Sequence, residues 1–330
     1  MTVVDHPTGS RHLVDREVTE VLDVFPPFNL APDTLEAVRD RLGRPVEGAP
    51  DPAQTFPRVV RTEYRIPGSS GDPEVRVLHY RLKDASTPAP GLVWMHGGGF
   101  VMGSADDDDF LCRRLVTETG AVIASVDYRL APETPAPGPV HDCYAALSWL
   151  RDNADERGVD AARLAVGGAS AGGGLAASLA ILARDRGEIS LDFQALIYPM
   201  LDDRTASTRT PHPYAGEFIW TPSDNRFGWA SLLGKEPGGA EVSPYAAPAR
   251  VESVAGLPAT YLCVGALDLF LEEDLEFGGR LLQAGIPTEL HVFPGGYHGY
   301  NMVADARITK AHFQNLIGAL KHHMAGATKI

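Results

Sequence analysis

The sequence predicts an α/β fold, with a mostly parallel sheet covered by helices on both faces. Three observations predict it. Eight short β-rich runs follow residue 57, helical patterns separate most of them, and no repeat of about 20 to 50 residues recurs to signal a solenoid or propeller. The first two runs, Val59 to Arg65 and Val75 to Tyr80, alternate like hairpin strands. The other six are Leu92 to His96, Ala121 to Val126, Leu164 to Gly167, Phe193 to Tyr198, Ala259 to Gly265 and Thr288 to Phe293. They are continuously apolar, as suits strands buried on both faces. Helices are expected at Phe110 to Thr119, Val140 to Asn153, Ala171 to Ala183, Glu272 to Ala284 and Ile308 to His323.

Two stretches break this rhythm. Residues 1–54 carry helical patterns, Val14 to Val24 and Ala31 to Leu42, set off by Pro26, Pro27, Pro50 and Pro52. Residues 203–248 are long, rich in proline and aromatics, and interrupt the alternation after the sixth strand. Both are expected to pack over one edge of the sheet as a helical cap, above a core of residues 55–202 and 249–330. The alternative is a peripheral decoration.

The chain has 330 residues, 44% hydrophobic and 22% charged, long enough to bury one large core without disulfide or metal staples. Its net charge of −14 repels phosphate backbones and anionic lipid heads, so nucleic-acid and membrane-surface roles are not expected. Cys112, Cys143 and Cys263 lie far apart in apolar stretches without metal-ligand spacing and read as buried thiols of a reducing compartment. Met1 to Val18 contains no apolar signal-peptide core, and a cytoplasmic location is expected. Leu164 to Ala183 has twenty residues without a formal charge, including a G-x-x-x-G at Gly168 and Gly172. Five glycines and two serines make it a poor membrane span, and a strand–turn–helix explains it better.

That turn, Gly168-Ala169-Ser170-Ala171-Gly172, is a G-x-S-x-G in strand–turn–helix context. A serine on so tight a turn needs small neighbours, and the helix N-terminus that follows favours developing negative charge. The pattern alone is also met in Gly-rich packing turns. A second motif, His96-Gly97-Gly98-Gly99-Phe100, follows the third strand. Its consecutive glycines give up backbone entropy and leave N–H donors unobstructed. The Gly98 and Gly99 N–H groups with that of Ala171 would form an oxyanion hole for an acyl-transfer intermediate. His96 is read as structural, holding the glycine loop.

A nucleophilic serine needs a general base, and the base needs a group to fix its tautomer. In the chain order expected for this motif the acid and then the histidine follow late strands. Asp268 follows the seventh run and His298 the eighth, both at strand C-terminal ends. Glu272, Glu273 and Asp274 compete with Asp268 but read as acids complementing a helix N-terminus. His291, His312, His322, His323, His6 and His12 fit less well as the base, since they lie in a strand, on the last helix or in the N-terminal arm. Asp106 to Asp109 is read as a solvated helical turn, the alternative being a cation site, for which no ligand spacing speaks. Phe100, Met102, Phe218 and Trp220 are candidates for an apolar substrate wall, while the spacing of Trp229 suits core packing.

HGGGF at 96–100, Val126-Asp127-Tyr128-Arg129-Leu130-Ala131-Pro132-Glu133, GGASAGGG at 167–174, Tyr198-Pro199, the Asp268 loop and His298-Gly299 together resemble the bacterial hormone-sensitive lipase family of α/β-hydrolases. The resemblance spans about residues 59 to 300. It implies an eight-stranded α/β-hydrolase sheet with a helical cap, a Ser170–His298–Asp268 triad, and carboxylesterase activity on short- to medium-chain acyl esters without a cofactor or metal. It also implies a homodimer formed through the sheet edge. Three departures bear on substrate preference: Ala169 stands where the family often has Asp, Leu269 replaces the usual Pro, and Thr134-Pro135-Ala136-Pro137 replaces His-x-Phe-Pro. Two other functions compete: amidase, lactonase or acyltransferase chemistry on the same triad, and a non-catalytic small-molecule binder, against which the retained His298 argues.

Overall fold

The computed structural model describes residues 9–44, 48–69, 71–85 and 87–324. All eight expected strands form: β1 (Val59–Ile66), β2 (Val75–Leu82), β3 (Ala89–Met95), β4 (Val122–Asp127), β5 (Val159–Ala169), β6 (Phe193–Ile197), β7 (Ala259–Gly265) and β8 (Thr288–Phe293). They make one sheet in the order β1-β2-β4-β3-β5-β6-β7-β8. Only β2 runs against its neighbours β1 and β4, and every pair from β4 to β8 is parallel. This is the eight-stranded α/β-hydrolase sheet. The apolar runs of β3, β4, β6 and β7 are buried almost throughout because helices cover both faces.

The helices are α1 (Val21–Val24), α2 (Leu35–Leu42), α3 (Pro52–Thr55), α4 (Asp109–Thr119), α5 (Gly138–Asp152), α6 (Ala154–Arg157), α7 (Ala171–Arg186), α8 (Pro222–Leu233), α9 (Leu271–Gln283) and α10 (Arg307–Met324). Cores lie on the two sides of the sheet. One joins α5, α7 and α9 with the central strands, and the other joins α4 and α10 with Trp94, Phe193 and Tyr261. The uncharged stretch at 164–183 is the end of β5, a turn and most of α7, and no described helix is long and apolar enough to cross a membrane.

Two expectations for the N-terminal segment change. The helix expected from Val14 to Val24 is replaced by one short 3-10 turn, Arg16–Val18, and the single turn α1. The backbone there bonds elsewhere: the Asp15 N–H donates to the Gly295 carbonyl at 3.1 Å, and the Val18 carbonyl accepts from the Tyr297 hydroxyl at 2.8 Å. The second helix forms only from Leu35. His6 lies outside the described residues.

Asp106 to Asp109 forms a helical turn, but its acids are not simply solvated. Asp106 pairs with Arg61 and Arg76, Asp107 closes a capping box with Ser104, Asp108 accepts from the Trp94 indole at 2.7 Å, and Asp109 pairs with Arg113 at 3.1 Å. Asp106 and Asp109 share Arg61, which lies 3.4 Å from Asp109, while Asp107 and Asp108 engage partners of their own. Sequence spacing could not show the contacts to Arg61, Arg76 and Trp94, because these partners lie on β1, β2 and β3.

Candidate active site

Ser170 sits between the end of β5 and the start of α7 with φ 57° and ψ −121°, a backbone conformation costly for any residue with a Cβ. The turn is held from three directions. The Ser170 N–H donates to the Ile197 carbonyl at 2.9 Å, and its own carbonyl accepts from the Gly174 and Met200 N–H groups, each at 3.0 Å. The flanking glycines are required by close backbone approach. A β-carbon on Gly168 would lie 2.4 Å from the Gly172 carbonyl oxygen, and one on Gly172 would lie 2.1 Å from that of Met95 and 2.4 Å from that of His96.

The loops after β7 and β8 bring two further residues to this turn. The Ser170 Oγ lies 2.9 Å from His298 Nε2, and His298 Nδ1 lies 2.9 Å from Asp268 Oδ2. With Nδ1 donating to the carboxylate, Nε2 is the acceptor for the serine hydroxyl. The other carboxylate oxygen of Asp268 accepts from the Phe270 N–H at 3.0 Å, which fixes the acid. Asp268 is fully buried, while Ser170 and His298 retain 6% and 7% exposure. Three rings surround the imidazole: Tyr198 at 4.9 Å, Phe270 at 5.1 Å and Trp220 at 6.3 Å between centroids. Among the described histidines only His298 reaches Ser170. His291 lies on β8 beside Glu289, His312 is buried against Tyr300, His322 and His323 lie on α10, and His12 is in the arm.

The glycine loop abuts the serine. A β-carbon on Gly97 would lie 3.3 Å from the Ala169 carbonyl oxygen and 3.6 Å from Ser170 Cβ. Gly98 and Gly99 have φ 120° and 58°, and the Gly98 carbonyl accepts from the Val101 and Met102 N–H groups, both at 3.0 Å. Among the described residues, no group accepts a hydrogen bond from the N–H of Gly98, Gly99 or Ala171. His96 stacks on Tyr128 at 4.2 Å, and its Nδ1 donates to the Gly97 carbonyl at 2.7 Å. Burial holds its pKa below the ordinary value, so it is a neutral brace for the loop.

The four wall candidates divide. Trp220 is brought to the site: its ring lies 2.1 Å from where a β-carbon on Gly99 would stand, and its Nε1 donates to Asn225 at 3.1 Å. Phe218, partly exposed, packs on Tyr297 beside His298. Phe100 packs on Trp229 at 5.2 Å and near Gly174, in the core beneath the loop, and Met102 packs against Gly98. Trp229 is fully buried.

The acids opening α9 depart from the sequence reading. Only Glu272 is exposed. Glu273 is 3% exposed and accepts from the Leu201 and Asp202 N–H groups at 2.7 and 3.0 Å and from the Thr205 hydroxyl. Asp274 is fully buried and, among the described residues, neither of its oxygens has a partner. Burial pushes both carboxyls well above the usual range, with Asp202 adding to the effect on Glu273 and Glu273 and Asp268 adding to that on Asp274. Tyr198, which the sequence offered only as part of the Tyr198-Pro199 motif, has φ 35° and donates its hydroxyl to Asn301 at 2.9 Å, three residues past the histidine. Sequence reasoning missed Arg39 of α2, which donates to the Val101 and Ala131 carbonyls at 2.6 and 2.9 Å and pairs with Glu133 at 2.7 Å. A cationic residue on a short helix carries no sequence signal for such a reach.

Comparison with known proteins supplies the context for this geometry. A family profile described as alpha/beta hydrolase fold matches residues 92–302, the segment holding the glycine loop, Ser170, Asp268 and His298. The chain belongs to the α/β-hydrolase family. It is 34% identical over 305 residues to the esterase LipI of Mycobacterium tuberculosis, covering 91% of this chain and 92% of that one. It is 33% identical over 300 residues to the carboxylesterase NlhH of the same organism, covering 89% and 91%. Among solved structures, a bacterial heroin esterase matches with TM-score 0.86 at 37% identity over 95% of this chain and 98% of that one. The esterase LipW from Mycobacterium marinum matches with TM-score 0.85 at 34% identity over 94% and 96%. This α/β-hydrolase is accordingly a carboxylic-ester hydrolase of the hormone-sensitive-lipase-like group.

Proposed function

We propose that the protein is a serine carboxylesterase that turns over short- to medium-chain acyl esters through an acyl-enzyme. The observation that carries this reading is the pair of 2.9 Å contacts linking Ser170 to His298 and His298 to Asp268, beside a glycine loop with free N–H donors. Ser170 Oγ attacks the ester carbonyl carbon while its proton passes to His298 Nε2. The N–H groups of Gly98, Gly99 and Ala171 hold the resulting oxyanion, each worth about two to three orders of magnitude in rate. His298 then returns the proton to the departing alkoxide, which leaves as the alcohol. Water deacylates by the same route, its proton passing to His298 and then to Ser170. Asp268 orients His298 throughout. These steps use only side chains, backbone amides and water.

Residues 1–54 and 203–248 act as the cap, with Trp220 and Phe218 as the apolar wall and Phe100 and Met102 shaping it from below. Trp220 over Gly99 leaves little room, and each methylene contributes about 0.8 kcal/mol only where it can be buried. kcat/KM therefore peaks at acyl chains of roughly four to eight carbons by this burial argument. The remaining parts of the reading are a homodimer through the outer strand β8, where Val292 is 41% exposed, and residence in a reducing compartment, the cytoplasm, which the three free buried cysteines support. The net charge of −14 speaks against nucleic-acid partners.

The test is a panel of p-nitrophenyl esters from acetate to palmitate, run beside an anilide and a lactone, with a fluorophosphonate label mapped by mass spectrometry. Label on Ser170 and abolished turnover in Ser170→Ala and His298→Ala are expected. Turnover of the anilide or lactone above that of the esters would move the assignment to an amidase or lactonase. Rates still rising at palmitate would mean a lipase with an opening lid.

A further inference from the structure

Resting on the triad reading above, we infer that Glu273, a buried carboxyl outside the triad, is a positioning residue that sets the acid loop, the nucleophile turn and the cap wall relative to one another. Three connections meet at Glu273, one through its helix and two through its carboxyl group. Through α9, Glu273 is joined to the acid: the N–H groups of Phe270 and Leu271, three and two residues before it, donate to Asp268 Oδ1 at 3.0 Å and to the Asp268 carbonyl at 3.2 Å. Through Oε1 it accepts from the Leu201 and Asp202 N–H groups at 2.7 and 3.0 Å. The residue just before them, Met200, donates to the Ser170 carbonyl at 3.0 Å and so belongs to the nucleophile turn. Through Oε2 it accepts from Thr205, whose own carbonyl accepts from the Asn225 side chain at 2.9 Å. Asn225 in turn receives the Trp220 indole N–H at 3.1 Å, and Trp220 lies over Gly99.

Such a group can be replaced only by one that accepts from the same donors. Glutamine keeps Oε1 for the two backbone amides and offers its NH2 to the Thr205 oxygen, so the network survives a loss of ionisable character. Alanine leaves three buried donors without partners, and the 199–205 segment must shift to rehydrate them. A displacement near 1 Å at the reacting groups costs about a hundredfold in rate. The loss should fall mainly on kcat, since Glu273 and Thr205 lie outside the proposed acyl wall and reach it only through Asn225 and Trp220.

The experiment measures kcat and KM for a p-nitrophenyl ester per active site titrated with a fluorophosphonate, in the wild type, Glu273→Gln, Glu273→Ala, Thr205→Val and, as control, the exposed Glu272→Gln. Glu273→Ala is expected to lose about a hundredfold in kcat per titrated site with KM little changed. Glu273→Gln and Glu272→Gln should stay within a few-fold of wild type. Thr205→Val, which removes one arm and keeps the shape, should fall in between, and it carries the test alone if Glu273→Ala does not fold. The downfield proton resonance of the His298–Asp268 hydrogen bond should shift in Glu273→Ala and not in Glu273→Gln. Unchanged kcat per titrated site in Glu273→Ala and Thr205→Val, with only fewer competent sites, would make Glu273 a fold residue and overturn the proposal. Equal losses in Gln and Ala would overturn it too, since shared hydrogen bonds would then not be what matters. A phosphonate that labels a residue other than Ser170 is the separate result that overturns the triad reading.

Discussion

Gly172→Ala tests the close approach on which the proposed oxyanion site depends. The added β-carbon would stand 2.1 Å from the Met95 carbonyl oxygen and 2.4 Å from that of His96, both backbone atoms that cannot rotate away. Ordinary contact begins near 3.4 Å, so the end of β3 and the start of α7 must part by about 1.3 Å. His96 opens the loop bearing Gly98 and Gly99, and Ala171 opens the helix. The separation therefore widens the space between the three N–H donors. Losing one such donor costs about two to three orders of magnitude, and a misplacement of about 1 Å costs a similar factor. The expected result is a fall in kcat/KM of about 100- to 1,000-fold per titrated site, with Tm lowered by overpacking. Helix propensity works the other way, since Ala exceeds Gly by up to about 1 kcal/mol inside a helix. Gly318 of α10 supplies the control: nothing lies within 4 Å of its β-carbon position, so Gly318→Ala should raise Tm slightly and leave kcat/KM alone. Steady-state kinetics after fluorophosphonate titration, with thermal melts of both variants, decide the matter. A Gly172→Ala enzyme within a few-fold of wild-type kcat/KM would refute the reasoning.

Asp268→Asn should keep the fold and lower kcat by roughly three to four orders of magnitude, because the amide stabilises the wrong tautomer of His298; a loss below tenfold in steady-state assays would shift the acid role elsewhere. Asp274 holds its proton in the native state to a higher pH than in the unfolded chain, since burial beside Glu273 and Asp268 raises its pKa. The native state then binds more protons than the unfolded one above about pH 4, so this group's contribution to stability falls as pH rises. Asp274→Asn cannot titrate, and urea unfolding should show it gaining on wild type between about pH 5 and pH 8; a difference independent of pH would refute the assignment. Trp220→Ala should move the acyl-chain optimum upward by several carbons, read from the p-nitrophenyl ester panel, and an unmoved optimum would remove Trp220 from the wall.

Strands β3, β4, β6 and β7 were legible because they are buried on both faces and so are continuously apolar, and the serine turn and glycine loop because close backbone contacts admit only glycine at Gly168, Gly172 and Gly98. Local chemistry left a local signature. Long-range pairing did not. The 14–24 segment carries a helical pattern, yet its backbone is drawn to Gly295 and Tyr297, nearly 280 residues away. Glu272, Glu273 and Asp274 read alike as helix-opening acids, and the difference between them is tertiary: the 201–205 segment bonds Glu273, Asp274 is buried, and Glu272 stays exposed. Asp106 and Asp108 likewise owe their roles to Arg61, Arg76 and Trp94, none of which sequence distance would pair with them.

The order of strands explains why so much of this support comes from residues with no part in the proposed chemistry. Ser170 leaves β5, whereas Asp268 and His298 leave β7 and β8, with β6 between. At about 4.8 Å per strand spacing, the strand bearing His298 stands roughly 14 Å from the one bearing Ser170. The loop after β8 must therefore lean back across β6 to reach the serine. What it leans on is the exit of β6: the Tyr198 ring packs against the imidazole at 4.9 Å, the Tyr198 hydroxyl holds Asn301, and the Met200 N–H holds the Ser170 carbonyl. The positive φ of Tyr198 is the local cost of turning the chain sharply enough to do this, on the order of 1–3 kcal/mol. Glu273 then fixes the next two residues of the same exit to the helix that follows Asp268. The strand that contributes no member of the proposed triad thus braces the separation between Ser170 on one side and His298 and Asp268 on the other.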